Sequence, residues 1–205
     1  MKSLTVNMAD PSSIRNLAAR LEKEFPNLNV LINNAGIMRP ENLLDHPKNL
    51  TDAEATITTN LLGPIRLTAA LMPLLQKQLH STIMNVSSGL AFVPLTMTPT
   101  YCATKAALHS YTESLRYQLK NTAIEVLELI PPYVATHLMG EHQSADPRAM
   151  PLDEFITEVM DILKTQPAAT EICVKRVNDL RQAADGGQDH YEQIFQGLNA
   201  AMSGN

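Results

Sequence analysis

The chain contains no tryptophan, and its four phenylalanines and five tyrosines make up 4% of 205 residues. So sparse an aromatic complement argues against a base-stacking surface for nucleic acid. The net charge of −5, with acids and bases interspersed, leaves no basic stripe to track a phosphate backbone. Cysteine is scarce too. Cys102 and Cys173 have no metal or redox spacing and read as small reduced core residues, as expected in a cytoplasmic protein. The six histidines, at 46, 80, 109, 137, 142 and 190, form no ligand set, so no metal is implied. Long apolar runs are missing, as is a basic N-terminal segment followed by an apolar stretch, so neither a membrane span nor a secretory leader is expected.

What is present is an ordinary globular composition, 44% apolar and 18% charged, over a length that suits a single domain spanning residues 1–205. Leu4-Thr5-Val6 reads as a short strand, and Asp10-Pro11 as a cap and first turn of an amphipathic helix over 11–25. Leu28 to Ile32 is a compact apolar run, read as a buried strand, that enters a tight loop at Asn33-Asn34-Ala35-Gly36. Thr51-Asp52-Ala53-Glu54 matches a capping box and opens a helical stretch to about Leu79, bent by Gly63, Pro64 and Pro73. Strands at 81–86, 123–130 and 170–177 alternate with helices at 99–120, 152–165 and 189–202. This alternation predicts an α/β fold: a parallel, Rossmann-type doubly wound sheet with ligands bound outside the carboxyl ends of its strands.

Three sequence motifs fall at those ends: Asn33–Gly36, Ser87–Ser88 and Pro131–Thr136. Beside them lies Tyr101-Cys102-Ala103-Thr104-Lys105, whose tyrosine and lysine, four apart on a helix, share one face. A nearby ammonium favours the phenolate and is expected to lower the tyrosine pKa, and a serine at a strand end can hydrogen-bond the same substrate oxygen. The pattern predicts a proton-transfer site.

With these residues the chain resembles the short-chain dehydrogenase/reductase family over nearly its whole length. Asn33-Asn34-Ala35-Gly36 is similar to the family's Asn-Asn-Ala-Gly loop, and Asn60, Ser88, Tyr101 and Lys105 match its catalytic tetrad. The ending from Thr170 onward is similar to the DltE-type branch. The resemblance implies an NAD(P) cofactor, with the choice between NAD and NADP open, and a small alcohol or carbonyl substrate. It implies Tyr101 as proton donor or acceptor and Ser88 as the group that orients the substrate oxygen. Lys105 would lower the tyrosine pKa and bond the nicotinamide ribose, and Asn60 would hold a relay water. Asn7, Met8, Asn34, Ala35, Gly36, Pro131, Val134 and Thr136, with Tyr101 and Lys105, would contact the cofactor. A homodimer or homotetramer, built through the long helices, is also implied.

Two departures matter. Pro132 stands where the family often has glycine, which removes a backbone donor. No Gly-x-x-x-Gly-x-Gly occurs anywhere, although the family sets its pyrophosphate on such a turn at a helix N-terminus. The first βαβ portion, at least one unit of ~30 residues, is absent, and the chain is expected to be a fragment or to begin at an internal methionine. Its Leu28–Ile32 strand would then present an unpaired apolar edge. A non-catalytic protein unable to bind dinucleotide is the competing expectation, and a redox-linked epimerase or dehydratase on the same scaffold is a third.

Overall fold

In the computed structural model, residues 2–45 and 50–203 are described; Met1 and His46 fall outside them. Four parallel strands, β1 (Val30–Asn33), β2 (Ser81–Val86), β3 (Ile124–Ile130) and β4 (Glu171–Cys173), form one sheet in sequence order. The register runs Asn33 beside Asn85, and Glu128 beside both Asn85 and Glu171. The helices are α1 (Pro11–Glu24), α2 (Thr51–Ile57), α3 (Gly63–Leu75), α4 (Pro99–Leu119), α5 (Glu141–Ser144), α6 (Leu152–Thr165), α7 (Asn178–Arg181) and α8 (Gln188–Ser203). A parallel sheet flanked by helices is the predicted class.

One core cluster joins Ile14 of α1 and Leu67, Leu71 and Leu75 of α3 to Leu31 and Ile83 of the sheet. A second joins Phe155, Val159 and Ile162 of α6 to Ile130 and Ile172. The spacing of these residues, three and four apart on each helix, is the reason the helices dock as they do. α1 begins as predicted: the Asp10 side chain accepts from the Ser12 backbone N–H at 2.8 Å, with Pro11 in the first turn.

The local expectations need four corrections. Leu4-Thr5-Val6 forms no strand, because the described residues provide no neighbour for its backbone. β1 is not fully buried: Leu31 faces the α1–α3 core, while Val30 and Ile32, pointing the opposite way, are 50% and 54% exposed. α2 begins at the expected cap residue Thr51 itself, so that its N-cap is Leu50, one residue earlier, which makes no side-chain bond. The strand expected over 170–177 ends at Cys173, since Lys175–Val177 turns into a 3₁₀ segment whose Val177 closes the second core.

Candidate active site

The carboxyl ends of β1, β2 and β3 lie at one edge of the sheet, and a buried relay of amides holds the first two together. Asn33 Nδ2 donates to Asn85 Oδ1 (2.8 Å) and Thr68 Oγ1 (3.0 Å), and Asn85 Nδ2 donates to Thr112 Oγ1 (2.9 Å). The loops leaving these strands carry Asn34–Gly36, Ser87–Ser88 and Pro131–Thr136 to the rim of a cavity of ≈ 570 Å³. α4 brings Tyr101 and Lys105 to the same cavity. Its N-terminus is held by Glu41, which accepts from the Thr100 backbone N–H (3.1 Å) and hydroxyl (2.7 Å). A carboxylate there also complements the helix dipole.

Tyr101 and Lys105 are each 5% exposed. Lys105 Nζ donates to the Val86 carbonyl at 2.7 Å and lies 5.6 Å from the Tyr101 ring centroid. Ser88 lines the cavity beside the Tyr101 phenol and lowers its pKa, while its own Oγ accepts from the Leu90 N–H at 3.1 Å. The expected lowering of the tyrosine pKa by Lys105 is not what the unliganded site shows. Burial pushes Tyr101 up to about 12, against a smaller downward pull from Ser88. Burial also pushes Lys105 down to about 8, opposed by the Glu128 carboxylate. At neutral pH the site therefore holds a neutral phenol beside a cationic ammonium.

Asn60 sits in a π-helical turn, Thr58–Leu62, between α2 and α3. Both ends of its amide are engaged by one backbone residue: Oδ1 accepts from Ile37 N–H and Nδ2 donates to Ile37 C=O, each at 2.8 Å. Nδ2 also reaches Thr104 Oγ1 at 3.4 Å, tying the loop after β1 to the tyrosine helix. The side chain fixes the loop that walls the cavity.

The cofactor set divides. Asn34, Ala35, Gly36, Tyr101, Lys105, Pro131, Val134 and Thr136 line the cavity. Asn7 and Met8 do not. Asn7 Oδ1 accepts from Ala9 N–H at the start of α1, and Met8 is buried against Gly63, where an added Cβ would come within 3.0 Å of the Met8 carbonyl oxygen.

Two features escaped the sequence reading. Gln143, buried in α5, donates to the Val134 carbonyl (2.8 Å) and Thr136 Oγ1 (3.2 Å) and accepts from Met139 N–H (2.9 Å). It thereby staples the loop over the cavity. Glu128, fully buried in β3, accepts from the Ser87 hydroxyl and pairs with His109 Nδ1 at 2.8 Å. His109, Glu128 and Glu171 offer ligand atoms within 4.8 Å of one another, but Glu171 is bound by Arg181 at 2.7 Å and Glu128 by His109 and Ser87. The cluster is an internal charge network. Gln143 finds its partners within its own loop, which no standard motif marks, whereas those of Glu128 come from a distant strand end and helix.

Among the described residues no helix is long and apolar enough to cross a membrane. A short-chain dehydrogenase family model matches residues 1–147. The chain is 39% identical over 196 residues to the uncharacterised oxidoreductase DltE of Bacillus subtilis, covering 94% of this chain and 76% of the relative. It is 34% identical to the NADP-dependent 3-hydroxy acid dehydrogenase of Schizosaccharomyces pombe, covering 70% of this chain and 57% of that protein, so it spans less than two thirds of the yeast relative. The fold matches a short-chain dehydrogenase of Burkholderia cenocepacia in complex with NADP at a TM-score of 0.79 and 22% identity, over 94% of this chain and 77% of that one.

Proposed function

The chain belongs to the short-chain dehydrogenase family, and from that premise we propose that it is an NAD(P)-dependent oxidoreductase interconverting an alcohol and a carbonyl compound. The observation that carries this reading is the Ser88–Tyr101 hydroxyl pair, set beside buried Lys105 in a cavity at the carboxyl ends of the strands. Tyr101, protonated throughout the neutral range, donates its proton to a carbonyl oxygen in the reductive direction. Ser88 donates to the same oxygen and fixes its position. The Lys105 charge stabilises the phenolate that the donation leaves behind. Asn60 holds the Ile37 backbone and so the loop that walls the cavity.

The cavity suits the nicotinamide end of a dinucleotide. Its ≈ 570 Å³ lies within the range of small-molecule sites, and Asn34–Gly36 present backbone on one side. An ammonium has three donors, and with one on the Val86 carbonyl, Lys105 keeps donors for a ribose hydroxyl. The bound nicotinamide would supply or accept the hydride. Both NAD and NADP stay open for this chain, whereas the yeast relative is NADP-dependent. Self-association through the long helices is a further part of the proposal; Ile57 and Tyr117, exposed on α2 and α4, are the positions at which to test it.

The competing reading is a non-catalytic member of the same fold. Its support is the absence of a glycine-rich phosphate turn in the sequence. Calorimetric titration with NADPH and NADH separates the two. Micromolar binding of either is the expected result, and absence of binding up to millimolar concentration would establish the non-catalytic reading.

A further inference from the structure

Behind Tyr101 and Ser88 lies a second, smaller cavity of ≈ 90 Å³. Its walls are Met38, Leu90, Leu95 and Leu138, and α8 closes it with Leu198 and Met202. Among the described residues no Lys, Arg, His, Asp or Glu side chain contributes to its lining. The polar groups that do border it are engaged elsewhere. Tyr133 donates its hydroxyl to Asp146 (3.2 Å), and Gln143 uses both ends of its amide within the loop.

Five backbone donors around the cavity are taken in the same way. Gly89 N–H goes to the Pro131 carbonyl (3.0 Å), Leu90 N–H to Ser88 Oγ (3.1 Å) and Leu95 N–H to Cys102 Sγ (3.3 Å). Met139 N–H goes to Gln143 Oε1 (2.9 Å), and Leu138 N–H faces Thr136 Oγ1 at 3.4 Å. Pro131 and Pro132 have no N–H to give. The Ser88 and Tyr101 hydroxyls border both cavities, and together they suit one carbonyl oxygen. Everything beyond that oxygen meets hydrocarbon.

We propose that this site takes a short, uncharged aliphatic ketone, or the matching secondary alcohol, and rejects oxo acids and other anionic carbonyl compounds. The proposal rests on the oxidoreductase reading for the reaction but adds the substrate class. A carboxylate in the small cavity would be desolvated with no cationic side chain among the described residues to meet it, which is strongly unfavourable. The volume limits the hydrocarbon arm as well. It is smaller than the ~150 Å³ that admits a benzene ring, which suits an arm of about four carbons. The yeast relative's 3-hydroxy acid carries the very group for which this cavity has no partner.

The test compares two ligands that share a six-carbon chain and ketone position, hexan-2-one and 5-oxohexanoate. Binding of each to the full chain is measured by saturation-transfer NMR, without cofactor and again with NADPH. The expected result is that hexan-2-one binds and that 5-oxohexanoate binds at least about 100-fold more weakly. Leu198→Arg places a cation at the cavity wall and is expected to reverse the order; if that variant does not fold, the comparison on the unmodified chain decides alone. Equal affinity, preference for the acid, or no binding of the ketone would overturn the proposal. Failure of NADPH to bind sinks the oxidoreductase reading and leaves the cofactor-free comparison intact, so the two failures are distinguishable.

Discussion

Burial acts on Tyr101 and Lys105 in opposite senses. It keeps the phenol protonated, with its pKa raised to about 12, and it weakens the ammonium, with its pKa lowered to about 8. The unfolded lysine loses its proton near ~10.4. Between those two values the unfolded chain binds more protons than the folded one, so Lys105 makes stability rise with pH across that window. Tyr101 acts the other way above pH ~10, where the folded state holds the proton that the unfolded state has released. Lys105→Met removes the first effect. In urea denaturation the stability of the unmodified chain relative to this variant should grow by about 2 kcal/mol from pH ~7.5 to ~9.5; a difference that stays flat would contradict the burial argument. Tyr101, Lys105 and Ser88 were legible in the sequence because their chemistry depends on short spacings on one helix and one strand end. Glu128 was not. Its partners Ser87 and His109 lie 41 and 19 residues away, and only the pairing of β2 with β3 and the docking of α4 bring them together. Glu128 is also the charge that opposes the lowering of the Lys105 pKa, so an acid with no local motif helps keep the lysine cationic.

At the level of elements, the π-helical turn Thr58–Leu62 explains why a polar residue sits buried between α2 and α3. A π-turn inserted in a helix marks a place where continuity has been given up for position. Here it aims Asn60 at the Ile37 backbone. Asn60→Ala leaves one backbone donor and one acceptor without their partner, and should destabilise the chain by about 2 kcal/mol. The same variant should speed hydrogen exchange at the Ile37 amide well beyond the average for the loop. Unchanged protection at Ile37 would mean that the wall of the cavity is held by something else. Element existence was largely legible, and β2 and α6 match their predicted limits: the apolar run marks β2, and Pro151 and Pro167 flank the periodic stretch of α6. The misread elements were those whose form depends on a neighbour. Leu4–Val6 has strand-like residues but no strand to pair with among the described residues, and Lys175–Val177 follows the core rather than the strand pattern.

For the molecule as a whole, the unpaired side of β1 is the feature with the widest consequence. Val30 and Ile32 are half exposed on a strand whose one partner among the described residues is β2. A short apolar edge of this kind is a template for association. Ile32→Lys should lower the apparent mass seen by light scattering at high protein concentration; unchanged association would place the contact elsewhere, for instance on the long helices. The sequence reading anticipated this edge from the order of strands in the family it resembles. The second cavity was not legible, because α8 closes it from the far end of the chain, where Asn199 bonds Thr96 N–H at 2.7 Å and carries Leu198 and Met202 to the site. All of this depends on whether Tyr101 is the acid of a carbonyl reduction. The most direct test measures NADPH-dependent reduction of hexan-2-one at neutral pH by the unmodified chain and by Tyr101→Phe, with NADPH affinity measured alongside. The account predicts turnover by the first and a loss of about 10²–10⁴-fold in the second at unchanged NADPH affinity; equal turnover by both proteins would contradict it.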